Sequence, residues 1–212
     1  MTKSAFLDFC STRGIPPLFS EIPYDSPERI YPFFSGKNSF LFESVKGPEK
    51  IARYSFIGFD PQGMFRIKDG VVETESRGGK RIFREKPLRS IGNILRGYHQ
   101  EALPELPPFQ GGLAGILSYD FVHYLEKLPR TTIDDLRIPD AHFLILDRLI
   151  AFDHKERRAW AIVCPGIGND TASPSASWYD EAEHVLDGMV RRIDAPVQMN
   201  APCRQRFVNR EL

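Results

Sequence analysis

The stretch NSFLFESVKGPEKIARYSFIGFDP, residues 38–61, contains two short apolar runs with the length and composition of β-strands. In an extended chain alternate side chains lie on the same face. We therefore expect Phe40, Phe42 and Ser44 to point one way and Glu43 to point the other way. The first strand thus ends in a carboxylate and a hydroxyl that follow an aromatic surface.

The polar end of this strand has a structural and a functional interpretation. In the structural one, Glu43 and Ser44 mark the point where the strand leaves the core, with Glu43 in water and Ser44 bonded to the local backbone. In the functional one, the aromatic surface and these oxygen atoms bind a small ligand that carries a ring and an ammonium group. Arg53, where the next strand begins, would then bind a carboxylate of the ligand. The pattern alone favours the structural interpretation.

Runs of the same kind continue along the chain and predict further antiparallel strands. The pair Asp69-Gly70 separates two of them and is typical of a two-residue β-hairpin, because glycine adopts a positive φ at low cost. Residues 141–152 and 157–164 predict another hairpin, and residues 111–120 predict a buried strand. Together these runs predict one large, mostly antiparallel sheet.

Four helices are predicted beside this sheet and give an α+β fold, and the short one among them covers residues 121–129. Residues 25–28, Asp-Ser-Pro-Glu, are typical of a helix start. A long apolar face extends from Ala182 to Ile193 and predicts a second helix. In residues 87–100 apolar side chains recur at helical spacing, which predicts an amphipathic helix that lies against the sheet with one face formed by Leu88, Ile91, Leu95 and Tyr98.

Composition excludes several classes of protein. The chain has 28 Lys and Arg residues and 28 Asp and Glu residues, so no excess positive charge is available for nucleic acid or for an acidic membrane surface. No apolar run reaches the roughly 18 residues that span a bilayer, and the first residues are too mixed for a signal peptide. We therefore expect a cytoplasmic protein. Cys10, Cys164 and Cys203 are far apart and odd in number, which predicts reduced thiols.

The sequence offers little recognisable catalytic or metal-binding chemistry. The five histidines occur singly, without H-E-x-x-H spacing, so surface or core roles are expected for them. Ser55 and Ser118 lie outside a G-x-S-x-G setting, and no base is identified for either. Composition and spacing alone therefore predict a soluble α+β domain without a reaction centre of its own.

Three segments in the same order resemble one known family. FLFESVKGPEKIARYSFIGFDP (40–61) resembles the N-terminal signature of component I of anthranilate synthase, where a Leu-Leu-Glu-Ser-like run precedes Arg-Tyr-Ser-Phe-Ile-Gly. PFQGGLAGILSYDFVHYLEKLP (108–129) is similar to the family's Phe-x-Gly-Gly segment, and IPDAHFLILDRLIAFDH (138–154) is similar to the strand and turn that follow it. Aminodeoxychorismate synthase component I, of the folate route, shares this fold.

The resemblance implies both a fold and a function. The fold is α+β, a mostly antiparallel sheet or sandwich with flanking helices. The function is anthranilate synthase activity: a lyase of tryptophan biosynthesis that converts chorismate and glutamine-derived ammonia to anthranilate and pyruvate, under feedback inhibition by tryptophan. Glu43 and Ser44 match the family's effector motif. Arg53 and Phe42 complete the expected tryptophan-binding set.

The family continues into a larger C-terminal domain that carries the catalytic residues and the magnesium carboxylates, and no such segment is recognised here. The resemblance therefore implies an N-terminal regulatory and structural domain at residues 1–194 and a linker at 195–212. No catalytic residue and no metal ligand are expected in the chain, which alone would be inactive and bind no cofactor. Mg²⁺ and chorismate would bind through the absent domain.

The resemblance also implies a glutamine amidotransferase subunit as partner. Apolar surface left uncovered by the absent domain would favour self-association into a homo-oligomer. Phe42 stands where leucine is usual, whereas Glu43 favours the tryptophan-route enzyme, since the folate-route enzymes often have aspartate there. A third alternative is a self-contained, non-enzymatic amino-acid-binding module in which residues 165–212 are a native tail.

Overall fold

The computed structural model describes residues 1–43, 52–76, 78–129, 133–167 and 175–194. Within these residues the chain forms four α-helices: α1 (Lys3–Thr12), α2 (Pro27–Ile30), α3 (Pro87–Arg96) and α4 (Ala176–Asp194). Short 3-10 helices cover Tyr31–Phe33 and Tyr119–Tyr124. The strands are β1 (Leu18–Ile22), β2 (Phe40–Phe42), β3 (Tyr54–Gly58), β4 (Gly63–Lys68), β5 (Val71–Ser76), β6 (Gly79–Arg84), β7 (Gly112–Leu117), β8 (Ala141–Leu146), β9 (Arg148–Asp153) and β10 (Arg158–Val163).

The strands form two antiparallel sheets of five strands each. The first sheet has the order β1-β10-β9-β3-β2 and the second has the order β6-β5-β4-β8-β7. Asp69 and Gly70, with φ of 49° and 71°, form the tight turn between β4 and β5 that the sequence predicts. The α+β class and the antiparallel arrangement are confirmed, but the single large sheet is wrong because the strands divide into two sheets.

The division between the sheets falls inside residues 141–152, which the sequence predicts to be one strand. Asp147 separates β8 in the second sheet from β9 in the first. Its side chain is buried and accepts hydrogen bonds from Arg148 at 3.0 Å (Nε) and 2.8 Å (Nη2), and from the Gln62 amide. A buried charge needs such partners, and here they lie at the point where the chain changes sheets.

Two apolar clusters lie on opposite faces of the first sheet. One face carries Ile57, Ile150 and Phe152, packed against residues of α1, α2 and α4. The alternate residues, among them Leu149 and Ala151, belong to the other cluster. Burial of a large aliphatic or aromatic side chain stabilises a fold by about 1.5–3 kcal/mol, so both faces contribute to stability.

The predicted helices form, with differences in detail. The N-cap of α2 is Ser26, and Asp25 instead accepts a hydrogen bond from the Ser26 amide at 2.7 Å. Helix α3 ends at Arg96, before the predicted end at residue 100. Its predicted apolar face is correct at Ile91 and Tyr98, which pack on the apolar clusters. It is wrong at Leu88 and Leu95, which are exposed, and Ile94 packs on the core instead. The predicted face of α4 is confirmed.

Residues 111–120 are buried only in part. Strand β7 lies at an edge of the second sheet, and Ile116 and Leu117 at its end are more than half exposed. Helix α1 and strand β1 were not predicted, because their apolar residues show no clear period. No helix in the described ranges is long and apolar enough to cross a membrane. Cys10 and Cys164 are free thiols, and Cys203 lies outside the described residues.

Candidate functional site

The ends of three strands of the first sheet bring distant polar residues together. Strand β3 is antiparallel to both β2 and β9, so its beginning lies beside the ends of its two neighbours. Glu43 directly follows β2, Arg53 directly precedes β3, and His154 directly follows β9. We call this region the Glu43 edge, defined by Glu43, Arg53, Asp153 and His154.

Arg53 forms a bidentate ion pair with Asp153. Its Nη2 lies 2.6 Å from Oδ2, and its Nε lies 3.1 Å from Oδ1. Oδ1 also accepts hydrogen bonds from the amides of Lys155 and Glu156, at 3.0 and 3.1 Å. Burial by itself would raise the pKa of Asp153, but these hydrogen bonds outweigh it and hold that pKa below its usual value. Arg53 is therefore committed to an internal carboxylate.

His154 is held by hydrogen bonds at both ring nitrogens. Its Nε2 lies 2.7 Å from the Ser55 hydroxyl and its Nδ1 lies 2.9 Å from the Tyr24 hydroxyl. Its backbone amide also donates to the Arg53 carbonyl at 2.9 Å. Ser55 thus has a histidine neighbour that the sequence did not identify. The Ser55 side chain is fully buried, so the geometry supports a structural role rather than nucleophilic attack.

Helix α2 places a second carboxyl group beside Glu43. The side chains of Glu28 and Glu43 are within hydrogen-bonding reach of each other. Burial raises the pKa of Glu43, and the negative charge of Glu28 raises it further. Hydrogen bonds from its own backbone amide and from the Ser26 hydroxyl lower the pKa of Glu28. Two adjacent carboxyls are suited to bind an ammonium group.

Phe42 lies on the opposite face of β2 from Glu43. Its ring stacks on Phe40 with 4.1 Å between centroids, and 44% of its surface is exposed. Gly58 of β3 makes room for this stack, because a Cβ there would lie 2.3 Å from the Phe40 ring. The predicted alternation along β2 is therefore present. A ligand that touches both Phe42 and Glu43 must lie across the free edge of β2 or beyond its end.

The predicted site residues are brought together in part. Glu43 and Arg53 lie at the Glu43 edge, Phe42 lies on the other face, and Ser44 lies outside the described residues. Three cavities formed by described residues are lined by other side chains than Phe42, Glu43 and Arg53. The assignment of these residues to an effector site stays a prediction.

Sequence reasoning did not find Glu28, Tyr24 and His154 as neighbours of Glu43. The register in which Tyr54 pairs with Asp153 locates His154, because it carries residue 154 to the start of β3. Among the described residues, no group of three or more His, Cys, Asp or Glu side chains is arranged to hold a metal ion. The arrangement of the Glu43 edge favours the binding of a cation through carboxylates.

Comparisons with known proteins give the family. A sequence profile of the family described as chorismate binding enzyme matches residues 37–209. The chain is 35% identical over 167 residues to aminodeoxychorismate synthase component 1 of Bacillus subtilis (strain 168), and the aligned region covers 76% of this chain and 34% of that protein. It is 36% identical over 125 residues to anthranilate synthase component 1 of Acetivibrio thermocellus, and the aligned region covers 58% of this chain and 25% of that protein.

A solved structure has the same fold. Anthranilate synthase component I from Streptococcus pneumoniae TIGR4 superposes with a TM-score of 0.52 at 21% identity, covering 82% of this chain and 36% of that one. The chain therefore spans between a quarter and about a third of the length of these relatives. The resemblance seen in the sequence is confirmed at the level of family and fold, and the chain belongs to the chorismate binding enzyme family.

Proposed function

We propose that this chain is the N-terminal part of an anthranilate synthase component I, the enzyme that makes anthranilate and pyruvate from chorismate and ammonia derived from glutamine. The observation that carries the proposal is the position of Glu43. Its carboxyl lies beside Glu28 at the end of β2, within the segment that resembles the family's effector motif, in a chain that belongs to the chorismate binding enzyme family.

The role of the Glu43 edge in this proposal is to bind tryptophan as a feedback inhibitor. The ammonium group of tryptophan binds the carboxylate of Glu43, with Glu28 adding negative charge. Ser44 supplies a hydroxyl, and the indole packs on the aromatic side of β2 near Phe42. Arg53 is already paired with Asp153, so its main role is to hold the start of β3 in place.

Inhibition then follows as a shift between two conformations of the enzyme. Tryptophan stabilises the conformation that binds chorismate less well, and the shift is limited by the difference between its affinities for the two. Coupling energies of this kind are about 1–3 kcal/mol. In this proposal the C-terminal domain of the longer protein supplies the rest of the tryptophan site. Residues 1–212 alone therefore bind tryptophan weakly.

The second candidate is the corresponding part of aminodeoxychorismate synthase component I. The identity of 35% to the Bacillus subtilis protein of that name over 76% of the chain supports it. The two candidates differ in the product formed from chorismate. The glutamate at position 43 is the feature that leads us to place the tryptophan-route enzyme first.

Other parts of the proposal concern the longer protein. A glutamine amidotransferase subunit supplies ammonia to it, and Mg²⁺ and chorismate bind to residues outside those described here. Magnesium would screen the negative charge of the chorismate carboxylates. We place the enzyme in the cytoplasm. This chain contributes the regulatory site and the surface on which the rest of the enzyme packs.

Product analysis of the complete gene product tests this proposal. The assay supplies chorismate, Mg²⁺ and ammonium chloride, and it follows anthranilate and aminodeoxychorismate separately by chromatography. We expect anthranilate, formed by the complete gene product and not by residues 1–212 alone. Aminodeoxychorismate instead would select the second candidate. No turnover of chorismate, together with a natural stop codon after residue 212, would select the non-enzymatic module.

A further inference from the structure

The outer side of β7 is an open strand edge without charge. Strand β7 lies at one end of the second sheet, where β8 is its one partner among the described strands. Its six residues, GLAGIL, include neither a charged side chain nor a proline. Proteins usually protect an exposed edge with such residues, because its unpaired amides and carbonyls are a template for another strand. This edge is therefore suited to accept a further strand.

Strand β6, at the other end of the same sheet, is protected in the usual way. It carries Lys80, Arg81 and Arg84, and all six of its residues are exposed. A strand that approached β6 would meet three positive charges within six residues. Of the two edges of this sheet, it is β7 that lacks such protection.

The backbone of β7 presents three amides to the open side. The amide of Ser118, directly after β7, donates to the Asp140 carbonyl at 2.9 Å, in continuation of the pairing between β7 and β8. Backbone groups along a strand point alternately to its two sides, so every second amide before Ser118 also points to β8. The amides that point to the open edge are those of Leu113, Gly115 and Leu117.

Exposed apolar side chains continue from this edge into the segment that follows it. Residues 119–139 leave the sheet after β7 and return at the start of β8, so both ends of this segment lie beside the end of β7. Eight of the fifteen large apolar side chains that are exposed in the described ranges lie between residues 116 and 138. Such a concentration, unlike scattered exposed apolar residues, marks an interaction site. We call these side chains the β7 border: Ile116, Leu117, Tyr119, Leu125, Leu128, Ile133, Leu136 and Ile138.

The length of the relatives indicates what covers this surface. The aligned regions make up 25% to 36% of the relatives and of the solved structure, so most of each of those proteins lies outside the part that matches this chain. A part of that size has ample apolar surface and strands to offer. It is also covalently attached, which gives it a high effective concentration at the edge compared with a second copy of the chain.

The end of α4 lies on the side of the sheet from which β7 can be reached. Arg192 donates to the Phe33 carbonyl at 2.7 Å and lies 3.9 Å from Asp60, in the connection between β3 and β4. Strands β4 and β7 flank β8 and begin at the same end of the sheet. At the usual spacing of strands they are about 10 Å apart. The last turn of α4 is therefore near the beginning of β7.

We propose that the second sheet continues beyond β7. A strand from the part of the longer protein after residue 212 pairs with the open edge of β7, and apolar side chains of that part cover the β7 border. This inference rests on the proposed function in one respect, namely that residues 1–212 are the N-terminal part of a longer protein.

Hydrogen exchange tests this pairing when it is followed residue by residue in the complete gene product and in residues 1–212. The amides of Leu113, Gly115 and Leu117 should exchange at least about tenfold more slowly in the complete gene product, because a paired amide exchanges only when the pairing opens. The amide of Ala114 points to β8 and is the internal control. This amide and those of β6 should exchange alike in the two proteins.

Two lysine substitutions on opposite edges of the sheet give a matched pair. Leu117→Lys and Ile82→Lys each replace an apolar side chain that is more than half exposed, 53% and 62% respectively. In the complete gene product, Leu117→Lys should speed exchange of the Gly115 amide by at least about tenfold, because the covering part would bury a charge without a partner. Ile82→Lys should leave that rate unchanged. In residues 1–212 both variants should exchange like the parent, and thermal unfolding midpoints equal to the parent's establish that each is folded.

Three results of these experiments would overturn the proposal. The first is equally fast exchange of the three outward amides in the complete gene product and in residues 1–212. The second is protection that is no greater in the complete gene product and that fades when residues 1–212 are diluted, which would assign the edge to a second copy. The third is an equal effect of Leu117→Lys and Ile82→Lys.

The product assay tests the proposed function separately. Unprotected β7 amides in an enzyme that makes anthranilate would contradict the continued sheet alone. Protected amides in a complete gene product that makes aminodeoxychorismate would contradict the first choice of enzyme and leave the continued sheet supported.

Discussion

Arg53 and Asp153 hold the start of β3 against the turn after β9, because two N–H groups of the Arg53 guanidinium donate to the one buried carboxylate of Asp153. The Asp153 side chain is 5% exposed and that of Arg53 is 35% exposed. The same carboxylate also accepts two backbone amides of the β9–β10 turn. This pair therefore holds in place the edge of the sheet at which Glu43 lies.

Replacement of Asp153 by alanine should destabilise the chain by about 2–3 kcal/mol. The substitution removes the partner of Arg53 and leaves two turn amides without their acceptor, while the partial exposure of Arg53 lets water compensate in part. The measurement is urea unfolding followed by circular dichroism. The control is Asp180→Ala, which breaks the exposed pair of Lys3 and Asp180 and should cost less than about 1 kcal/mol. Equal losses in the two variants would contradict the structural role of Asp153.

The stabilisation by Asp153 should depend on pH. Because its pKa is lower in the folded chain than the ordinary value of 3.8, the unfolded chain binds more protons in this range. The contribution is therefore present above about pH 4 and is lost as the pH falls through the folded pKa. In urea unfolding at a series of pH values, the difference between the parent and Asp153→Asn should shrink below about pH 4. A difference that stays constant down to pH 2 would be inconsistent with the lowered pKa.

Glu43 and Glu28 should show opposite pH effects. The pKa of Glu43 is raised above its ordinary value of 4.5, so the protonated form favours folding and this contribution is lost as the pH rises through the folded pKa. Glu43→Gln should therefore gain stability relative to the parent as the pH rises above about 4.5. The pKa of Glu28 is lowered, so Glu28→Gln should lose stability relative to the parent as the pH rises towards about 4.5, and this difference should stay constant above that pH. The same sign for both variants would disprove the asymmetry of this pair.

Two glycines should respond to alanine in opposite directions. A Cβ on Gly115 of β7 would lie 2.0 Å from the His142 carbonyl oxygen, so Gly115→Ala must displace β8 and should cost about 2–4 kcal/mol. Gly188 of α4 has open space around it, and Gly188→Ala should stabilise the chain by about 0.5–1 kcal/mol through helix propensity. The urea concentration at the midpoint of unfolding measures the change in stability of both variants. A mild effect at Gly115 would show that β7 and β8 of the second sheet are not packed as described.

Local features of the fold were predictable from sequence. The turn at Asp69 and Gly70 follows from backbone preferences within a few residues, and so does the alternation of side chains along β2. The buried face of α3 was not predictable from sequence. Two overlapping apolar faces are possible for this helix, and they are formed by Leu88, Ile91, Ile94 and Leu95. Only the position of the second sheet selects Ile91 and Ile94.

The change of sheet and the candidate site depend on long-range pairing. Residues 141–152 are apolar except at His142, Asp147 and Arg148, and nothing local distinguishes one long strand from two short ones. The contacts of Arg53 with Asp153 and of Ser55 with His154 follow from the register of β3 against β9, which the sequence alone does not reveal. The motif around Glu43 was recognised only through its resemblance to a known family.

Inhibition of the complete gene product by tryptophan is the most direct test of the account. The measurement is the rate of anthranilate formation against tryptophan concentration in the parent, in Glu43→Gln and in Glu21→Gln, a surface control on β1. We predict that the parent and the control are inhibited alike, and that Glu43→Gln keeps its activity but needs about tenfold more tryptophan. Superimposable inhibition curves for the parent and Glu43→Gln would contradict the placement of the effector site at the end of β2.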